Sequence, residues 1–198
     1  MKKVLLLGDS IRMGYDDYVK ERLDGKCEVF YDADDNGRFA AYTLWQMNQM
    51  FRKFGPFDLV HWNNGYWDMN IEDPMETALY PIDEYTHLLR RIIHEIRKNG
   101  SKVIFALTTP ILDSGIAADN TGTGALSISY NDSWVREYNE AAKKVMAEEN
   151  VPINDLYTLC KEDEKYYKCE DMLHLTEEGY YRCATKISEI ILKELNME

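Results

Sequence analysis

The sequence predicts an α/β fold in which one parallel sheet carries helices on both faces. Two observations predict it. Short apolar runs alternate with segments of helical periodicity from one end of the 198 residues to the other, the order that builds β-α-β units. No low-complexity segment and no internal repeat interrupts that alternation. With 45% apolar residues the chain is long enough for one domain with a substantial core and short for two, so residues 1–198 are read as a single domain.

The candidate strands are Lys3–Leu7, Cys27–Tyr31, Leu59–Asn63, Lys102–Leu107 and a short one near Pro152–Asn154. Between them the spacing of apolar residues predicts helices. Over 82–98, Tyr85, Leu88, Leu89, Ile92, Ile93 and Ile96 fall on one stripe, and Asn99-Gly100 ends it. A segment rich in Leu, Trp, Met and Phe predicts a helix at 39–53, and another is expected from about 130 to 149. The last helix is expected from near Thr176, its N-cap, to about Leu195, with Cys183, Ile187, Ile190, Ile191 and Leu195 facing the core. Residues 66–81, with two prolines and four acidic residues, and residues 110–129, rich in Gly, Thr, Ser and Asp, read as long loops. In an open α/β sheet ligands bind beyond the carboxyl ends of the strands, so these loops are candidate substrate walls.

Composition narrows the partners. A net charge of −12, from 23 basic and 35 acidic residues, disfavours nucleic acid and anionic membranes, both polyanions that an acidic surface repels. It equally serves to keep a protein soluble. The start of the chain lacks the apolar stretch and cleavage site of an export signal, and no run approaches the ~20 apolar residues of a membrane span, so a cytoplasmic protein is expected. Cys27, Cys160, Cys169 and Cys183 show no metal-binding spacing with the four histidines. Reduced thiols and no metal or other cofactor are expected, although Cys160 and Cys169 are close enough in sequence to bridge.

The chemistry lies at the two ends. Gly8-Asp9-Ser10 follows the apolar run Val4–Leu7, and Asp171-Met172-Leu173-His174 precedes the last helix. A serine hydroxyl needs a base to take its proton, and a carboxylate to hold that base in the right tautomer. Ser10, His174 and Asp171 supply those roles, while Ser10 equally suits a helix N-cap. Acyl transfer also needs donors for an oxyanion. Asn36-Gly37-Arg38 and Asn63-Asn64-Gly65 offer them at the ends of the second and third strands, and both are also ordinary turn sequences.

Taken together, these motifs resemble the SGNH (GDSL-like) hydrolase superfamily of esterases and lipases, over nearly the whole chain. The resemblance implies a flavodoxin-like, three-layer α/β/α sandwich around a parallel sheet of about five strands. It also implies Ser10 as nucleophile, His174 as base, Asp171 as its orienting acid, and the backbone N–H groups of Ser10 and Gly37 as oxyanion donors beside an asparagine amide. One position departs from the pattern: Gly65-Tyr66-Trp67-Asp68 carries tryptophan where the family has its asparagine. Indole bulk crowds the site and offers one donor only. The amide donor is then Asn63 or Asn64, which strand alternation puts on opposite faces, Asn63 sharing parity with position 67.

The implied activity is a serine esterase acting through an acyl-enzyme on Ser10. The alternatives are a non-catalytic carbohydrate- or small-molecule-binding domain that keeps the fold, and an acyltransferase with the same residues. Trp62, Tyr66, Trp67, Tyr80 and Trp134 place flat rings near these motifs, suited to a sugar face or a small acyl chain and also to packing. A short acyl group is expected because no amphipathic lid helix is apparent. Fold analogy and the rings suggest an acetyl ester on a carbohydrate. Arg12 and Arg38 flank two of the motifs and are candidates to bind a substrate carboxylate or hydroxyl.

Overall fold

The computed structural model describes residues 1–72, 74–112, 115–119, 126–167 and 173–197, with 115–119 and 126–130 described through their backbone. Strand β1 (Lys2–Leu7) enters α1 (Ser10–Arg22), β2 (Cys27–Phe30) leads to α2 (Ala40–Phe54), and β3 (Leu59–Trp62) is followed by the short β4 (Ile71–Glu72) and by α3 (Ile82–Lys98). Then come β5 (Lys102–Ala106), β6 (Gly115–Asp119), β7 (Leu126–Tyr130), α4 (Asp132–Glu148), β8 (Ile153–Asn154), α5 (Leu156–Lys161), a 3-10 turn (Glu164–Tyr166) and α6 (Glu177–Glu194).

Five strands form one parallel sheet in the order β2-β1-β3-β5-β8. Val4 to Leu7, all of β3 and Val103 to Ala106 are buried, as expected of a sheet covered on both faces. Helices α1 and α6 pack together, and α2, α3 and α4 form a second group through α2–α3 and α3–α4 contacts. The six apolar residues expected on the α3 stripe are the ones it buries. This is the expected three-layer α/β/α sandwich. The winding direction reverses between β1 and β3, so the crevice at their carboxyl ends is the switch point at which such sheets bind ligands. Register pairs Leu7 with Trp62, which brings Gly8 and Asn63 side by side just beyond it.

Local signals account for the helix ends. Thr176 caps α6 by accepting from the Gly179 N–H at 3.3 Å, as the sequence suggests. Asn131 caps α4 through the Ser133 N–H, and Asp155 caps α5, a helix the strand-helix reading did not resolve, through the Thr158 N–H. The cap of α1 is Asp9 and not Ser10.

The two expected loops are more ordered than their composition suggests. The 66–81 segment contributes β4 and the 110–129 segment contributes β6 and most of β7, which join in a small antiparallel sheet of order β4-β7-β6. Its alternation Leu126-Ser127-Ile128-Ser129-Tyr130 is a strand signal, short and embedded in glycines and hydroxyl residues that read as turns. Among the described residues no helix is long and apolar enough to cross a membrane.

One contact fixes the relation between the two ends of the chain. Gly14 lies where α1 meets α6, and a Cβ there would stand 2.2 Å from the Tyr180 ring. Gly14→Val is therefore expected to destabilise the fold by about 2 kcal/mol through overpacking, read from urea denaturation midpoints. Pairing it with Tyr180→Ala should recover part of the loss that the two single changes sum to, because the residues share one space.

Candidate active site

Ser10 stands at the first position of α1, just past the carboxyl end of β1. Gly8 makes the turn with φ +146°, a conformation in which side chains are strained. Asp9 then accepts the Ile11 N–H at 3.0 Å. The Ser10 N–H, one of the orphan donors of a helix start, meets no acceptor among the described residues. His174 lies three residues before α6, beside the bridge between Tyr167 and Leu175. Its Nε2 is 2.8 Å from Ser10 Oγ although 164 residues separate them. Both side chains are half-buried, packed enough to be held and open enough to be reached. Asp171 lies outside the described residues.

The two asparagines point to opposite sides, as alternation predicts. Asn64 is fully buried and committed: its Nδ2 donates to Arg38 O and to Thr43 Oγ1, and its Oδ1 accepts from Trp62 Nε1. Those bonds tie β3 to the entry of α2 and leave no amide proton for a substrate. Asn63 faces the α1 side, where Tyr15 Oη approaches its Oδ1 at 3.4 Å. It lies directly over Gly8, at which a Cβ would stand 2.1 Å from that oxygen.

Gly37 is engaged by a neighbouring backbone. Its N–H donates to the Gly8 carbonyl at 2.8 Å, and a Cβ on it would stand 2.4 Å from that same oxygen. The missing side chain lets two backbones touch, and the N–H is spent on that contact instead of being presented to a ligand. Trp67 is half-buried against the core, while the next residue, Asp68, reaches the start of α2 and accepts the Ala40 N–H at 2.9 Å.

Arg12 differs from the expectation. The expected substrate-binding cation is 1% exposed and wholly structural. Its guanidinium pairs with Asp16 at 2.6 Å and donates to the carbonyls of Asp32 and Asp35, with a longer contact to Gly8 O. It thus ties α1 to the segment that carries Gly37. Burial pushes the Asp16 carboxyl up and the guanidinium opposes it, so removing Arg12 would leave an uncompensated buried acid. Arg38, with φ +44°, stays half-exposed at the rim.

Acidic groups below the site are also perturbed. Burial raises the Asp9 carboxyl, opposed by the Asn63 side chain, the Ile11 N–H and the nearby His174 and Arg12. Burial raises Asp68 to about 8, opposed by the Ala40 N–H and reinforced by Asp9. His61, in mid-strand on β3, is fully buried beside Asn154 at 3.2 Å and lowered by burial to about 3, which keeps its imidazole neutral.

Of the expected aromatic wall, Trp62 and Tyr66 belong to the core, whereas Trp67, Tyr80 and Trp134 are half-buried. Phe39, Tyr42 and Trp45, at the start of α2, were not singled out by the sequence. Cys160 Sγ lies 3.4 Å from Cys183 Sγ, both as free thiols, so the neighbour of Cys160 is Cys183; Cys169 lies outside the described residues. Among the described residues no group of three His, Cys, Asp or Glu is arranged to hold a metal ion.

A parallel three-layer sandwich whose first strand and last loop bring a serine and a histidine together at the switch point is the architecture of the SGNH hydrolases. Residues 6–182 match the GDSL-like lipase/acylhydrolase family, and the chain belongs to it. Solved structures share the fold over almost the full chain. A lipase/acylhydrolase from Enterococcus faecalis is 23% identical, with a TM-score of 0.74, and the match covers 98% of this chain and 97% of that one. A GDSL-like lipase from Bacteroides thetaiotaomicron is 20% identical, with a TM-score of 0.72 and coverage of 98% and 89%. An acetyl xylan esterase is 17% identical, with a TM-score of 0.71 and coverage of 96% and 99%. A comparison with curated proteins finds no match.

Asp68 gives the site a measurable pH dependence. Its folded pKa of about 8 lies above the carboxylate's unfolded value near 3.9. The folded state therefore binds the extra proton, and the stability this contributes is full below about pH 4 and lost as pH rises through 8. Relative to Asp68→Asn, the wild type should lose stability across that window by up to ~1.4 kcal/mol per pH unit. Urea midpoints of both proteins at stepped pH check the slope, and a flat difference would contradict it.

Proposed function

We propose that the protein is a serine esterase that hydrolyses short-chain acyl esters, an acetyl group on a carbohydrate being the specific substrate class. The observation that carries this reading is the 2.8 Å approach of His174 Nε2 to Ser10 Oγ at the sheet's switch point. In the first half-reaction His174 takes the Ser10 proton as Oγ attacks the ester carbonyl carbon. The carbon–oxygen bond to the alcohol then breaks, and His174 returns that proton to the leaving alkoxide, which leaves the acyl group on Ser10. In the second, His174 takes a proton from water, the hydroxide attacks the acyl carbon, and the carboxylic acid departs as Ser10 Oγ is reprotonated. Asp171 takes the orienting role by its position three residues before His174.

Two donors serve the oxyanion. The Ser10 N–H sits at the positive end of the α1 dipole, where negative charge is favoured. Asn63 supplies the side-chain amide, since both amide protons of Asn64 are engaged. Gly37 joins them only by giving up its bond to Gly8. A neutral substrate agrees with the charge of −12, and an acetyl xylan esterase uses the same fold.

The engaged Gly37 N–H favours a second reading, a non-catalytic domain that binds a carbohydrate or small molecule. Hydrolysis of p-nitrophenyl acetate decides between them. Ser10→Ala and His174→Ala should each lower kcat by 10⁴-fold or more, on the order seen when members of such a unit are removed. Asn63→Ala should lower kcat by about a hundredfold with KM little changed. Activity surviving in Ser10→Ala, or no wild-type hydrolysis across several acyl lengths, would overturn the esterase. Product analysis with and without acceptor alcohols separates hydrolysis from acyl transfer.

A further inference from the structure

Four aromatic rings form a continuous strip that begins beside the site and that the mechanism above does not use. Phe39 is two residues from Gly37, whose N–H touches Gly8. Its ring packs on Tyr80 with centroids 5.3 Å apart and on Tyr42 at 6.2 Å; Tyr42 in turn packs on Trp45 at 5.4 Å. The first three rings are half-buried, whereas Trp45 at the far end is 54% exposed. A tryptophan so uncovered loses the burial that ordinarily holds large rings inside, while its neighbours keep it in place. At 1.5 Å per residue, the five steps from Ala40 to Trp45 carry the strip about 8 Å along α2 and away from the strand ends.

The border of the strip is polar and directional. The Arg38 guanidinium lies 4.8 Å over the Tyr42 ring, and Tyr42 Oη donates to both carboxylate oxygens of Asp35, at 2.8 and 3.0 Å. Flat rings beside a guanidinium and a carboxylate suit a ligand with a C–H face and a hydroxyl rim, which describes a pyranose ring. An aliphatic surface fits the border badly, and a polyanion meets the net charge of −12.

We propose that Tyr80, Phe39, Tyr42 and Trp45 form a binding strip for a neutral polysaccharide, on which the alcohol side of the substrate lies as it leads to Ser10. The cut bond rests on the esterase reading above; the binding itself does not. The strip therefore extends the substrate from an acetylated sugar to an acetylated polymer, engaged over more than one residue. Binding energy gathered away from the reacting bond then serves to position the ester.

Affinity gel electrophoresis of Ser10→Ala protein, in gels with and without a soluble, partly acetylated glucomannan, tests binding without turnover. Retardation is expected, and adding Trp45→Ala should weaken it about tenfold, whereas Trp45→Tyr should keep most of it. In active protein, Trp45→Ala should lower the ratio of kcat/KM on the polymer to kcat/KM on p-nitrophenyl acetate by about tenfold. Circular dichroism confirms that the variant is folded. Absence of retardation for the Ser10→Ala protein, or retardation equal in the Trp45→Ala variant, would overturn the strip. Retardation that depends on Trp45 in a protein that hydrolyses no ester would support the strip and overturn the esterase reading.

Discussion

Gly14 leaves a notch on α1 that the Tyr180 ring of α6 fills, and the geometry of the strand ends follows from that contact. Helix α1 begins at Ser10, and α6 begins three residues after His174. Both N-termini lie at the same edge of the sheet, because α1 follows β1, α6 comes after β8, and these two strands of one parallel sheet end at the same edge. The Thr176 cap and the close passage of Gly179 under the Tyr166 carbonyl, where a Cβ would stand 2.5 Å away, then fix how the chain enters α6. His174 is placed by helix packing and capping, and its contact with Ser10 is a result of that placement more than a cause of it.

A second layer of constraint is ionic and buried. Arg12 and Asp16 sit one turn apart on α1, almost without exposure, and such a pair costs desolvation that its attraction only partly offsets. What the pair yields here is specificity of position. The guanidinium has enough donors to bond the Asp32 and Asp35 carbonyls as well, so the loop after β2 has one seat against α1. Asp68 does the corresponding work for α2 by accepting the Ala40 N–H. Asp9 does it for α1 through the Ile11 N–H. Two buried carboxyl groups at two helix starts hold the loops around Ser10, where hydrophobic packing alone would leave them several ways to lie.

Much of this was legible in the sequence, for identifiable reasons. The strands announced themselves because a sheet buried on both faces requires unbroken apolar runs. The α3 stripe was visible because one helix face must be apolar. The meeting of Ser10 and His174 was foreseeable because their motifs sit at element boundaries that a parallel sheet brings to one rim. Arg12 was misread for a physical reason: a cation beside a site motif looks the same in sequence whether it turns outward to a ligand or inward to backbone carbonyls. The Gly8 contact of Gly37 was hidden likewise, since a glycine that exposes its N–H and one that lets backbones touch differ only in three dimensions. The small sheet of β4, β6 and β7 stayed hidden because its alternation spans few residues amid turn-forming ones. The aromatic strip escaped because its rings are spread over Phe39 to Trp45 and Tyr80, and the turn of α2 and the Asp68–Tyr80 backbone contact at 2.9 Å gather them.

Trp67 raises the question of which group would stand in for the usual asparagine in the proposed esterase, and the crowding at Gly8 bears on it. This peptide unit lies next to Asn63, accepts the Gly37 N–H and receives a long contact from Arg12. With no side chain, it lets the end of β3 close over the β1 turn, and Asn63 can reach the serine side without a helix turn to carry it. The same crowding keeps the Gly37 N–H on the Gly8 carbonyl. Turning the Gly37 N–H toward a ligand would cost one backbone hydrogen bond, which is worth ~1 kcal/mol net in a folded protein. A charged oxyanion bonded by that donor would gain more, since such donors are worth ~3 kcal/mol. Under the proposed esterase mechanism, these magnitudes assign the Gly8–Gly37 bond to the resting state, with a tetrahedral intermediate drawing Gly37 in as the third donor.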